Sequence, residues 1–246
     1  MDKGSRLWEI DCARGIAIIM MVVFHTVFDL SFFGIAPVEV GSGFWRGFAF
    51  ATATLFLLVV GVSLVVSHAK AVQKLSGAAL IKKFVFRGAG IFALGLLVTL
   101  ATYLYLHEGF VVFGILHLIG VAVMFSPFLF RFGKKNILIG SVIVLAGLCL
   151  HGISGPAYLI PLGIYPVTFY SVDYTPLLPW LGVVLIGLGI GEFLYRDGIR
   201  QFPVRNLPDL MVTPLSFLGR HSLIIYLVHQ PVIILLLTTI AGIPLF

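Results

Sequence analysis

Residues 44–105 read FWRGFAFATATLFLLVVGVSLVVSHAKAVQKLSGAALIKKFVFRGAGIFALGLLVTLATYLY. Two apolar runs, 44–67 and 84–105, are joined by a stretch that holds Lys70, Lys74, Lys82 and Lys83, with Arg87 at its far edge. At about 20 residues each, both runs are long enough to cross roughly 30 Å of hydrocarbon, and neither contains an acidic residue. The pattern is that of two membrane spans meeting at a basic connection.

Outward from this pair, the other connections alternate in charge. Lys3, Arg6 and Arg14 precede the first apolar run, and only Arg46, with Glu39, marks the next gap. The connection at His107 and Glu108 has no Lys or Arg. Arg131, Lys134 and Lys135 follow, then a stretch free of basic residues through Asp173. Arg196, Arg200, Arg205 and Arg220 come last, and the C-terminus carries no basic residue. Under the positive-inside rule this predicts an all-α, polytopic helical bundle of seven spans, N-terminus cytoplasmic and C-terminus outside. The predicted spans are 14–33, 44–67, 84–105, 111–130, 136–152, 177–195 and 220–240.

Composition points the same way: with 60% hydrophobic and 11% charged residues in 246, too little polar surface remains to coat a soluble globule of this size. The apolar runs occupy most of the chain, so residues 1–246 are expected to form a single integral-membrane domain. The net charge of +6 falls on the predicted cytoplasmic face, where it meets anionic headgroups or a phosphorylated ligand, and nucleic acid is not needed to explain it. The first apolar run is longer than a signal-peptide core, so no cleavage is expected. Cys12 and Cys149 fall at opposite ends of the predicted topology, which argues against a disulfide. Trp8, Trp45 and Trp180 sit where interfacial anchors belong.

Ser154–Pro176 contains Pro156, Pro161, Gly163, Pro166 and Pro176, and its apolar pieces are too short to span. It is expected to be an outer loop, with a short helix at the interface or dipping into the bundle. Gly182, Gly187, Gly189 and Gly191 are expected to let neighbouring helices approach closely.

Ionisable side chains at membrane depth mark candidate sites. Arg14 and His25 are eleven residues apart, about three helical turns plus roughly 20°, with a rise of roughly 16 Å. Asp29 follows His25 by four residues, so one face of the first helix carries a cation at its cytoplasmic end, an imidazole at mid-depth and a carboxylate beyond. Such a stripe suits transfer from an anionic donor: Arg14 holding a phosphate, His25 acting as general base, Asp29 fixing the imidazole tautomer. In the bland alternative Arg14 reaches to lipid phosphates while His25 and Asp29 satisfy one another. His117 and His229 reach similar depth, and Ser222, Tyr226 and His229 share a face of the last helix; they are candidate substrate-contacting or supporting residues. Three mid-membrane histidines also raise a metal site, but no second ligand stands at HxxxH or HxxE spacing, and no metal is expected. Lys82, Lys83, Arg87 and Arg220 are candidate donor-binding cations. His68, His107, His151 and His221 lie at helix ends or in loops, where interfacial roles are expected.

The run Arg14-Gly15-Ile16-Ala17-Ile18-Ile19-Met20-Met21-Val22-Val23-Phe24-His25 resembles the first-helix signature of the acyltransferase 3 family, in which the arginine and the histidine are essential. The wider pattern is similar to the catalytic domain of heparan-alpha-glucosaminide N-acetyltransferase and its prokaryotic relatives. It comprises Arg6-Leu7-Trp8-Glu9-Ile10-Asp11, the run from Leu55 to Leu64, Phe113-Gly114-Ile115-Leu116-His117, and the run from Leu218 through Gly219-Arg220-His221-Ser222 to His229-Gln230-Pro231. The resemblance implies a membrane acyltransferase with acetyl-CoA as donor and a glycan or lipid-linked sugar as acceptor, in a prokaryotic plasma membrane, in contact with lipid; a homo-oligomer is compatible with it. The eukaryotic enzyme carries its active histidine in the lumenal region after the first helix of this pattern, and the corresponding segment here, Gly34–Trp45, has none. A competing reading of the same histidines is a transporter or channel for a small anion or lipid, in which they relay protons or bind cargo; another is a structural membrane subunit.

Overall fold

The computed structural model describes residues 7–150, 152–204 and 208–241. Lys3, Arg6, His151 and Arg205 lie outside the described residues. Among the described residues eight α-helices follow one another: α1 Trp8–Phe32, α2 Gly43–Val72, α3 Gly77–Leu106, α4 Ile115–Leu129, α5 Asn136–Cys149, α6 Leu177–Leu194, α7 Asp209–Arg220 and α8 Ser222–Ala241. The described residues contain no β-strand, only an isolated bridge between Ser154 and Tyr165. The chain divides into two compact units, residues 1–56 with 204–246, and residues 57–203.

In the first unit α7 runs antiparallel to the start of α1. Gly15 lies against the Leu215 carbonyl and Gly219 against the Asp11 carbonyl, and a Cβ at either glycine would collide with that backbone. Cys12 Sγ is 3.3 Å from Ser216 Oγ between them. Small residues thus set the helix spacing, as membrane helix pairs require. Leu210, Met211 and Phe217 are exposed on the outer side of α7. α8 then runs parallel to α1, since Arg14 meets Gly219 while His25 and Asp29 meet His229 and Gln230.

α7 is an addition to the predicted elements, because Pro203, Pro208 and Pro214 among basic residues read as a connection. Asp209 in its first turn and Arg220 in its last suit the helix dipole at both ends. α1 also begins six residues before the predicted span, with Glu9 and Asp11 in its first turn. An apolar-run reading excludes those acids, yet a helix N-terminus favours them. α2 and α3, at 30 residues each, reach about 45 Å and so exceed the roughly 30 Å of hydrocarbon.

In the second unit the glycines of α6 serve two neighbours. Gly182 and Gly189 lie against Gly140 and Ile137 of α5, while Gly187 and Gly191 lie against Leu58 and the Val62–Val65 turn of α2. They are packing residues, as their positions predicted. The register makes α6 antiparallel to α5 and parallel to α2. α3 and α4 are antiparallel, with Gly88, Phe92 and Gly95 opposite Met124, Gly120 and His117.

Among the described residues six helical stretches are long and apolar enough to cross a membrane, with Ile115–Cys149 counted as one. That stretch is not straight: a 3₁₀ segment, Phe130–Lys135, separates α4 from α5, and Gly133 within it has φ 49° and ψ −128°, a backbone conformation that glycine accommodates without a side-chain clash. Asn136 braces the break by donating to the carbonyls of Leu129 and Gly133, both at 2.9 Å.

The 154–176 segment contains a 3₁₀ turn, Ala157–Leu162, rather than a longer helix. Tyr165, Phe169 and Tyr174 cluster with ring centroids 5.0–5.4 Å apart, and the Tyr174 hydroxyl donates to the Ile160 carbonyl at 2.6 Å. Burial, with Tyr165 beside it, pushes the Tyr174 phenol up to about 12. Asp173 accepts from the Ile115 N–H at 3.4 Å and so helps to cap α4.

Candidate active site

α1 and α8 bring four side chains together at membrane depth. The rings of His25 and His229 meet edge to face, centroids 4.9 Å apart. One turn along α1, Asp29 is 2% exposed, and both its oxygens accept from Gln230 Nε2, at 2.7 and 2.8 Å. The expected hydrogen bond from His25 to Asp29 is absent among the described residues. Spacing of four places the two on one helix face, but the amide of Gln230 occupies the carboxylate. Gln230 escaped sequence reasoning, although a carboxylate inside a span needs a donor and an amide stood beside His229.

His229 is buried, and its Nδ1 lies 2.6 Å from the Tyr226 carbonyl. A carbonyl only accepts, so Nδ1 carries the proton and Nε2 presents a lone pair. Among the described residues neither Nε2 nor Gln230 Oε1 has a hydrogen-bond partner, and both atoms are buried. Buried acceptors left in this state cost about 1–3 kcal/mol each. Tyr226 thus serves His229 through its backbone, and its ring also lies against the imidazole, centroids 5.6 Å apart.

Arg14 sits at the α7 end of the same unit. It donates to Asp11 at 3.0 Å and to the Gly219 carbonyl at 3.2 Å, with its side chain 23% exposed. It therefore ties α1 to the C-terminal end of α7, where a cation is favoured. Arg220, exposed at that corner, donates Nε–H to the Ser216 carbonyl at 3.1 Å. His221 Nδ1 lies 2.8 Å from the Phe217 carbonyl.

The remaining candidates belong to the second unit. His117 is buried on α4, with Nδ1 accepting from the Gly114 N–H at 3.2 Å and Nε2 3.5 Å from Thr99 Oγ1. Phe113 stacks on its ring and Phe92 meets it edge-on. Both nitrogens being engaged, His117 caps α4 and ties it to α3. Lys82 and Lys83 are exposed, Lys82 over the Phe86 ring, and Arg87 donates to Ser67 Oγ at 3.1 Å. His68, predicted to be interfacial, stacks on Phe130 at 3.8 Å between centroids. Cys12 and Cys149 are both free. Among the described residues no group of three or more His, Cys, Asp or Glu side chains is placed to hold a metal ion.

A family model described as heparan-alpha-glucosaminide N-acetyltransferase, catalytic, matches residues 6–231. Comparison with curated proteins and with solved structures returns no match. The matched range begins just before α1 and ends immediately after Gln230, so it includes all four side chains of the α1–α8 cluster.

Proposed function

The chain belongs to the heparan-alpha-glucosaminide N-acetyltransferase catalytic family, and from that premise we propose an integral-membrane acyltransferase that moves an acetyl group from acetyl-CoA to an acceptor hydroxyl or amine on a sugar or lipid-linked sugar. The observation that carries this reading is the pairing of His25 with the buried His229 beside Asp29 and Gln230. An imidazole at mid-span is what acyl transfer to a neutral nucleophile needs, because the attacking N–H or O–H must lose a proton as the new bond to the acyl carbon forms. Asp29 places negative charge where an imidazolium would develop, and Gln230 holds it in position.

The donor's phosphates would take the cationic end of α1, at Arg14 and Arg220. Lys82, Lys83 and Arg87 lie on the same side of the membrane under the positive-inside rule and add to the field that attracts an anionic donor. The hydrogen bonds of Arg14 to Asp11 and Gly219 fix where its guanidinium stands. We read the chain as seven spans with the N-terminus inside and the C-terminus outside. Two features of the fold support that count: the break at Gly133 falls among Arg131, Lys134 and Lys135, and α6 runs parallel to α2, as spans two and six of an alternating series must.

The test is to incubate purified protein with acetyl-CoA and glucosamine and to follow CoA thiol release and the acetylated amine by mass spectrometry. Stoichiometric appearance of both is expected. Acetyl-CoA binding with no turnover, to this amine or to water, would move the weight to transport. Arg14→Ala should weaken acetyl-CoA binding on the order of tenfold, as loss of one charge-assisted contact does, and should flatten its salt dependence. An unchanged affinity removes Arg14 from the donor site.

A further inference from the structure

Two neighbouring residues of α8 each leave one polar atom buried and without a partner among the described residues, and both atoms are acceptors. At His229 the Tyr226 carbonyl holds the Nδ1 proton, so the bare atom is the Nε2 lone pair. At Gln230 the amide orientation is dictated by Asp29: its two oxygens take the NH₂ group, and a flipped amide would set oxygen against carboxylate. The bare atom there is Oε1. His25 and Asp29, which these residues face, stand one turn apart on one side of α1, so the two acceptors belong to a single stretch of the α1–α8 seam.

An apolar span supplies no water to satisfy such atoms, so the arrangement is suited to a group that brings donors with it. The two histidines also differ in preparation. No hydrogen bond among the described residues selects a tautomer of His25, a half-buried residue whose ring packs edge-on against its neighbour. His229 is already held as a base, its proton on the nitrogen turned to the backbone and its lone pair turned away from it.

We propose that His229, through Nε2, is the general base of the acyl transfer proposed above, on which this assignment rests, and that Gln230 Oε1 positions the acceptor by taking a second hydrogen bond from it. The acceptor approaches beside His25. Its N–H or O–H donates to Nε2, and its N or O attacks the thioester carbon. As that bond forms the proton passes to Nε2, the C–S bond breaks, and the electron pair leaves on the CoA sulfur. The imidazolium then returns its proton to the thiolate, so that acyl-CoA and acceptor become acylated acceptor and free CoA with His229 restored. The proton on Nδ1 stays there throughout, hydrogen-bonded to the Tyr226 carbonyl, and Asp29 stabilises the transient cation from one turn away.

The experiment compares His229→Ala with His25→Ala in the full-length protein, following thiol release from acetyl-CoA with glucosamine as acceptor. His229→Ala should lower kcat on the order of a hundredfold or more, with the KM for acetyl-CoA unchanged and turnover partly restored by added imidazole. A packing role would give no imidazole rescue. Full turnover in His229→Ala, or rescue of His25→Ala alone, overturns the assignment while leaving acyl transfer standing. Should His229→Ala not fold, the wild-type protein serves: carbethoxylation by diethyl pyrocarbonate, mapped by mass spectrometry, should track loss of activity at His229, and glucosamine should protect it. Loss of activity with His25 modified and His229 intact overturns the assignment. A wild-type protein inert toward both glucosamine and water overturns the acyl-transfer reading and this assignment with it.

Discussion

Asp29 and Gln230 are 201 positions apart in the chain, yet each is the other's principal polar partner. A carboxylate and an amide buried together gain little over their hydrated state, but removing one strands the other. Asp29→Leu should therefore destabilise the protein by about 2 kcal/mol, since Gln230 would lose its only described acceptor. The double variant Asp29→Leu/Gln230→Leu should recover part of that loss. Thermal unfolding in one detergent, run as a double-mutant cycle, reads the coupling; strictly additive effects would mean that the pair does not interact. The same rule distinguishes the histidines. His117 has both nitrogens engaged, whereas among the described residues His229 has one nitrogen held by backbone and one left open.

Between elements, glycine decides where helices touch. The α1–α7 contact is made at Gly15 and Gly219, each facing a carbonyl that a Cβ would meet, whereas Gly90 on α3 has nothing within 4 Å of the place its Cβ would take. Gly15→Ala should thus separate α1 from α7 and lower stability by about 1–3 kcal/mol. Gly90→Ala should have the opposite sign, stabilising by up to about 1 kcal/mol through helix propensity. Thermal melts of the two variants against wild type check this; a Gly15→Ala protein as stable as wild type would show that α7 is not closely packed on α1. Because α7 also carries Gly219 to Arg14, Gly15→Ala should reduce acetyl-CoA affinity as well.

Across the whole chain, the number of spans hinges on residues 115–149. If α4 and α5 are two legs turning at Gly133, the 154–176 segment lies opposite the Lys70–Lys83 connection; if they form one span, both lie on the same side. Lys74→Cys and Val167→Cys, in a protein whose exposed Cys149 has been changed to Ser, separate the cases, since Val167 is 86% exposed. An impermeant maleimide added outside intact cells should label Val167→Cys at once and Lys74→Cys only after permeabilisation. If Val167→Cys, like Lys74→Cys, were labelled only after permeabilisation, six spans would be favoured. The family match runs from residue 6 to 231 and so draws on both compact units.

What the amino-acid sequence determined by itself is whatever depends on neighbours a few residues away or on the solvent. The lengths of the apolar runs and the charge between them placed α1 to α6 and α8 to within a few residues at most ends, because transfer to hydrocarbon is decided run by run. The stripe of Arg14, His25 and Asp29 followed from helical period alone, and the α6 glycines were legible because small residues in a span have few uses besides contact. The tertiary structure decided which side chains satisfy one another. Spacing of four put Asp29 beside His25, but the carboxylate went to Gln230, whose amide supplies two donors where the imidazole supplies one. α7 exists because Gly15 and Gly219 let it lie on α1, a gain that its own proline-interrupted sequence does not reveal. The open nitrogen of His229 likewise depends on which groups fail to arrive, and that is settled only when every helix is in place.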